Sequence, residues 1–109
     1  MTIDPNLPWS EQFRLTGQAW VEADGAARLL EDTKSAFLSQ LMNDTGVSAV
    51  AAAEREVKGS KTWMDFVNRM VEARTKANLL KVEMEFTRMK FSEWQSLEAS
   101  ARTEQRLIR

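Results

Sequence analysis

The stretch from Ser60 to Ile108 repeats every seven residues. Trp63, Phe66, Met70, Ala73, Ala77, Leu80, Met84, Thr87, Phe91, Trp94, Glu98 and Ala101 follow one another in steps of three and four, and all but Thr87 and Glu98 are apolar. A repeat of that period keeps one stripe of an α-helix turned toward a neighbouring helix along its whole length. The expected fold class is therefore all-α: a helical hairpin with a long C-terminal helix, packing as a coiled-coil-like or helical-bundle oligomer. With 109 residues, the chain is expected to form a single helical domain.

The rest of the chain supplies what such a helix needs. Residues 1–8 hold both prolines and read as an extended arm or a turn at Asp4-Pro5-Asn6. Leu7 and Trp9 either staple this arm to the first helix or offer apolar anchors to a partner. A first helix is expected over 9–43, with Phe13, Trp20, Ala23, Ala27, Leu30, Phe37 and Leu41 along one face. Gly17 and Gly25 lie inside it. Either they allow another helix to approach, or the helix bends or breaks near Gly25 into 10–23 and 26–42. Asn43-Asp44-Thr45-Gly46 ends it. Ser48 is the expected N-cap of a second helix over 48–107, near-continuous through Gly59-Ser60 although a kink there, or a fresh start capped by Ser60, is the alternative. At 1.5 Å per residue, residues 61–107 span about 70 Å and the first helix only about 50 Å. The first helix is too short to cover the whole repeat.

A second stripe makes that shortage more acute. Leu79, Val82, Phe86 and Met89 also step by three and four, on the opposite face. Between about 79 and 91 the helix is apolar nearly all round, which calls for cover on every side. One partner helix hides one face. Self-association through residues about 63–94 is the expected solution, a two-fold dimer first among the possibilities, with Trp63, Phe66, Met70, Leu80, Met84, Phe86, Met89, Phe91 and Trp94 carrying assembly. The alternative is a compact monomer whose bent first helix wraps both faces.

Charge is unevenly distributed. Residues 1–44 hold seven acids and three bases, whereas residues 45–90 hold six acids and nine bases. Arg69, Arg74, Lys76, Lys81, Arg88 and Lys90 line the long helix. They either neutralise the acidic first helix or form a basic ridge that touches nucleic-acid phosphates. Phe91 and Trp94 could stack on bases, but their places in the repeat favour burial.

Little in the chain points to catalysis. Histidine and cysteine are both absent, which removes the commonest general base, the commonest metal ligand and all thiolate chemistry. There is no glycine-rich phosphate loop and no nucleophile elbow. The expectation is a non-enzyme without cofactor, metal or small-molecule substrate. No apolar run approaches a membrane span, and Met1-Thr2-Ile3-Asp4 lacks a basic leader region, so a cytoplasmic protein is expected.

Four segments carry a likeness. Glu54-Arg55-Glu56-Val57, Thr62-Trp63-Met64-Asp65, Leu79-Leu80-Lys81-Val82-Glu83-Met84-Glu85 and Met89-Lys90-Phe91-Ser92-Glu93-Trp94-Gln95-Ser96 together resemble small all-helical proteins of phages and prophages from early or recombination-type gene neighbourhoods. The resemblance covers residues 50–107 and contains no catalytic motif. The small secreted Trp-x-Gly hairpins are a different case, because the turn here is Asn43-Asp44-Thr45-Gly46. The resemblance implies an interaction protein that binds and modulates a host or phage protein, one of the DNA-processing machinery included. A nucleic-acid-binding recombination accessory and a structural or scaffold oligomer are the alternatives.

Overall fold

A computed structural model describes residues 2–108. The fold is all-α, a helical hairpin with a long C-terminal helix: α1 is Trp9–Asp44, α2 is Val50–Lys58 and α3 is Lys61–Ile108. Helix α1 runs unbroken through Gly25. The chain divides into two compact units, Ala23–Ala77 on the one hand and Met1–Glu22 with Asn78–Arg109 on the other.

The unit Ala23–Ala77 contains the aromatic core. Trp63 and Phe66, three apart on α3, are buried with Val57 of α2. Leu30, Phe37, Leu38, Leu41 and Met42 of α1 pack on them. The Phe37 ring lies 4.7 Å from Phe66 and 6.5 Å from Trp63, centroid to centroid, within the range where aromatic pairs add to simple burial. Further along, the packing changes character, with Ala27 and Ala77 fully buried and Ala23 nearly so. Alanine has no side chain to fix beyond Cβ, so such faces can approach closely at little cost in conformational entropy.

The connections follow local chemistry. Helix α1 stops where Gly46 takes a φ of +72°, a conformation open to glycine and costly for residues with a Cβ. The Thr45 hydroxyl donates to the Met42 carbonyl at 2.7 Å and accepts the Val47 N–H at 3.1 Å. Two expectations need correction here. Ser48 does not cap α2. Ala49, in extended conformation and with no side-chain bond, holds the cap position, and its carbonyl accepts the Ala53 N–H at 3.0 Å. Nor is the helix near-continuous through Gly59-Ser60. The Ser60 N–H donates to the Val57 carbonyl at 2.9 Å, a tightened last turn. The Ser60 hydroxyl donates to the same carbonyl at 2.6 Å and accepts the Trp63 N–H at 3.2 Å. One serine thus closes α2 and caps α3.

In the unit Met1–Glu22 with Asn78–Arg109, the arm turns at Asp4-Pro5-Asn6. The Leu7 N–H reaches the Asp4 carbonyl at 3.2 Å and the Asn6 N–H reaches Asp4 Oδ1 at 2.9 Å. The Gln12 side-chain amide then holds the arm to α1 by donating to the Leu7 carbonyl at 2.8 Å and the Pro5 carbonyl at 3.3 Å. Thr16 and Ala19 are the buried positions of α1, and Thr87 that of α3. Both threonines stay satisfied inside their own helices, Thr16 donating to Gln12 at 2.9 Å and Thr87 to Glu83 at 2.9 Å. This explains how the repeat of α3 takes a hydroxyl at Thr87.

The two glycines of α1 differ. A Cβ on Gly17 would meet Met84 Sδ at 3.6 Å, an ordinary contact, while Gly25 has open space around it and is exposed. Neither a break nor a close approach uses Gly25. Gly25→Ala is therefore expected to stabilise the fold by about 1 kcal/mol. Ser60→Ala, which removes the shared cap, is expected to cost about 1 kcal/mol. Urea titration followed by circular dichroism measures both, and a loss of stability in Gly25→Ala would contradict the open environment.

Candidate interaction surface

The second stripe of α3 lies open. Leu79, Val82, Phe86 and Met89 are between 48% and 66% exposed, too much for four neighbouring large apolar side chains on a buried face. On the other face of the same stretch Leu80, Met84 and Phe91 are half-buried and Thr87 is buried. The monomer in which a bent first helix wraps both faces is thus not what forms: α1 is unbroken and the stripe is uncovered. Past Phe91 every residue of 92–108 is exposed, Leu97 among them.

The residues expected to carry assembly fall into two groups. Trp63 and Phe66 are already buried against the chain's own α1 and α2, and Met70 packs on the same cluster, so these three hold the chain's own helices together. That amends their expected role. The repeat positions are satisfied from within, and the assembly reading rests on Phe86, Met89 and their neighbours. Trp94 also departs from its expected burial. It is 47% exposed and stacked on Phe91 at 6.2 Å.

Trp94 lines a shallow groove of roughly 310 Å³ with Pro5, Leu7, Pro8, Trp9, Ser10 and Gln12. Leu7 and Trp9 are both half-buried, and the bonds from Gln12 keep the arm seated. Nothing in the sequence marked Gln12 for this role. Its position, five residues after Leu7 in the first turns of α1, was the available signal.

The cations separate just as clearly. In the unit Ala23–Ala77, Arg74 is engaged by two acids of α1. Its guanidinium donates to both Glu31 carboxylate oxygens, at 2.7 and 2.8 Å, and to Asp24 Oδ1 at 2.8 Å. Asp24 also pairs with Arg28 at 2.9 Å. Bidentate pairing of this kind is directional and stronger than a surface contact between point charges. It holds the Glu31 carboxyl below the usual carboxylate range and raises Arg74 further above its already high ordinary value. Of the two roles expected for the cations of the long helix, neutralising the acidic first helix or touching phosphates, Arg74 shows the first. Lys90 lies 3.6 Å from Glu93 and over the Phe86 ring, 5.8 Å from its centroid. Arg69, Lys76, Lys81 and Arg88 are exposed and make no ion pair among the described residues. At the start of α1, Arg14 pairs with Glu11 three residues earlier, which lowers the Glu11 carboxyl in the same sense.

Among the described residues no cluster of acids is placed to hold a metal ion, and no helix is long and apolar enough to cross a membrane. No protein-family model matches the chain, and no curated protein or solved structure does either.

The Arg74 clamp has a pH signature of definite sign. A carboxyl lowered in the folded state contributes stability that is present above its unfolded value, about 4.3 for glutamate, and is lost as pH falls through the lowered folded value. The guanidinium stays charged throughout. Arg74→Ala is therefore expected to melt below the native chain at pH 7, with the gap closing as pH falls from 5 to 3. A gap of constant size would mean that Arg74 contributes through packing alone.

Proposed function

We propose that this chain is a non-enzymatic helical interaction protein of the phage type, which binds and modulates a host or phage protein through the open stripe of α3. One observation carries the reading: four large apolar side chains, Leu79, Val82, Phe86 and Met89, stand exposed along about three turns of a well-formed helix. An amphipathic helix presented in this way is the half of a helix-on-helix or helix-in-groove contact that a partner completes. The groove beside Trp9 and Trp94 widens the same kind of surface. The likeness of residues 50–107 to small helical phage proteins supports DNA-processing proteins as the first partner class to test.

A nucleic-acid role has narrower support. Of the six cations expected on the ridge, Arg69, Lys76, Lys81 and Arg88 make no ion pair among the described residues, whereas Arg74 is paired with α1 and Lys90 sits beside Glu93. A backbone-contacting protein neutralises several phosphates at once and shows steep salt dependence. If α3 binds duplex DNA, reversing Lys81 and Arg88 to Glu should abolish binding and flatten its salt dependence. Unchanged binding by that variant would remove the ridge from consideration.

The main reading is tested with Phe86→Asp and Met89→Asp. Both residues are exposed, so helicity by circular dichroism is expected to stay within a few percent of the native chain. Capture of candidate DNA-processing proteins by the immobilised chain is expected to fall at least tenfold, because each change sets a charge at the centre of the contact. Equal capture by native and variant chains would show that the stripe is not the binding surface.

A further inference from the structure

We propose that the occupant of the open stripe is a second copy of the same stretch, packed parallel and in register. The inference rests on the reading of that stripe as an interaction surface: a second copy occupies the stripe when no other protein does, and a host or phage protein competes for the same face. Within the stripe, Leu79, Val82, Phe86 and Met89 fill four successive core positions of a heptad, spanning about 16 Å of helix. Thr75 precedes them and Glu93 follows, so the apolar seam has two closed ends. A partner must match four apolar layers and no more, and the chain's own stripe does so by construction.

The flanking charges decide orientation. Glu83 and Lys90 follow core positions, and Glu85 precedes one. In a parallel pair, the residue before a core position meets the residue five further along on the other helix. Glu85 of one copy then faces Lys90 of the other, and two-fold symmetry makes this contact twice. Glu85 makes no ion pair among the described residues, and Lys90 already lies across the Phe86 ring at the edge of the seam. An antiparallel pair that keeps all four apolar layers matched must set Leu79 against Met89 and Val82 against Phe86. That register brings Glu83 to Glu83 and Glu85 to Glu85, like charges at the edges of the contact. Shifting the antiparallel pair by one heptad to relieve them places Leu79 opposite Ser96 and Val82 opposite Glu93. Only the parallel arrangement satisfies apolar matching and charge together. Each copy keeps Leu80, Met84, Thr87 and Phe91 turned to its own first helix, so the two faces of α3 do not compete.

Four side chains per copy fall short of the ~800 Å² per partner of a standard interface, so association is expected to depend on concentration. The absence of native cysteine allows a direct test. Leu79→Cys and Val82→Cys, each alone in the full chain, should form disulfide-linked dimers under mild oxidation, since like core positions face each other at bonding distance in a parallel pair. Glu85→Lys should weaken association in sedimentation equilibrium roughly tenfold by opposing Lys90, and Glu85→Lys with Lys90→Glu should restore it. Linkage only between mixed Val82→Cys and Phe86→Cys chains would overturn the parallel register. A monomeric mass at every concentration with no linkage would overturn self-association altogether. The capture experiment with Phe86→Asp would then judge the stripe as a surface for another protein independently of this outcome.

Discussion

A helix in water can hide only the face that another helix covers, and the chain is built around that limit. Helix α3 is apolar on two faces between Leu79 and Phe91, while α1 supplies one covering surface. Everything distinctive about the molecule follows from the face left over. The inner repeat makes the fold, and the outer stripe is surplus to it. Surplus apolar surface on an ordered element is costly in solubility and invites aggregation unless a partner takes it up.

The inner packing is of two kinds. In the unit Ala23–Ala77, large rings fill the space between helices, with Phe37, Trp63 and Phe66 in mutual contact and Val57 of α2 against them. Elsewhere the buried positions are small: Ala23, Ala27 and Ala77 in that unit, and Thr16, Ala19 and Thr87 in the other. Rings contribute transfer free energy in proportion to the apolar area they remove from water, on the order of 1.5–3 kcal/mol for a fully buried large side chain. Small residues contribute less by transfer and lose almost no side-chain freedom on burial. Aromatic contacts and small-residue packing can therefore each hold helices together, the first by transfer free energy and the second at little entropic cost.

Much of this was legible in the residues. The seven-residue repeat through Trp63, Phe66, Ala77, Leu80 and Thr87 predicts the inner face of α3, because helical period and burial are the same information there. The openness of Leu79 to Met89 follows from the same count, since one helix cannot cover two faces. The buried face of α1 was harder to read. The expected stripe includes Ala23 and Ala27, which are buried, but it also selects Phe13 and Trp20, which are half-buried, and passes over Thr16 and Ala19, which are buried. Hydropathy does not register a threonine whose hydroxyl is satisfied one turn back. The fate of Arg74 was not legible either. Its partners lie on another helix, and which acids stand opposite depends on the register of the hairpin.

That register returns attention to the clamp on Arg74. Alanines are interchangeable, and a face made of them packs almost equally well if one helix slides along the other. Asp24 and Glu31 are seven residues apart, two turns on one face of α1, and Arg74 bridges the span. Sliding by a heptad in either direction leaves the guanidinium with one carboxylate instead of two. The ion triad works as a vernier: the smooth part of the interface permits several alignments, and one alignment alone brings all three charges together.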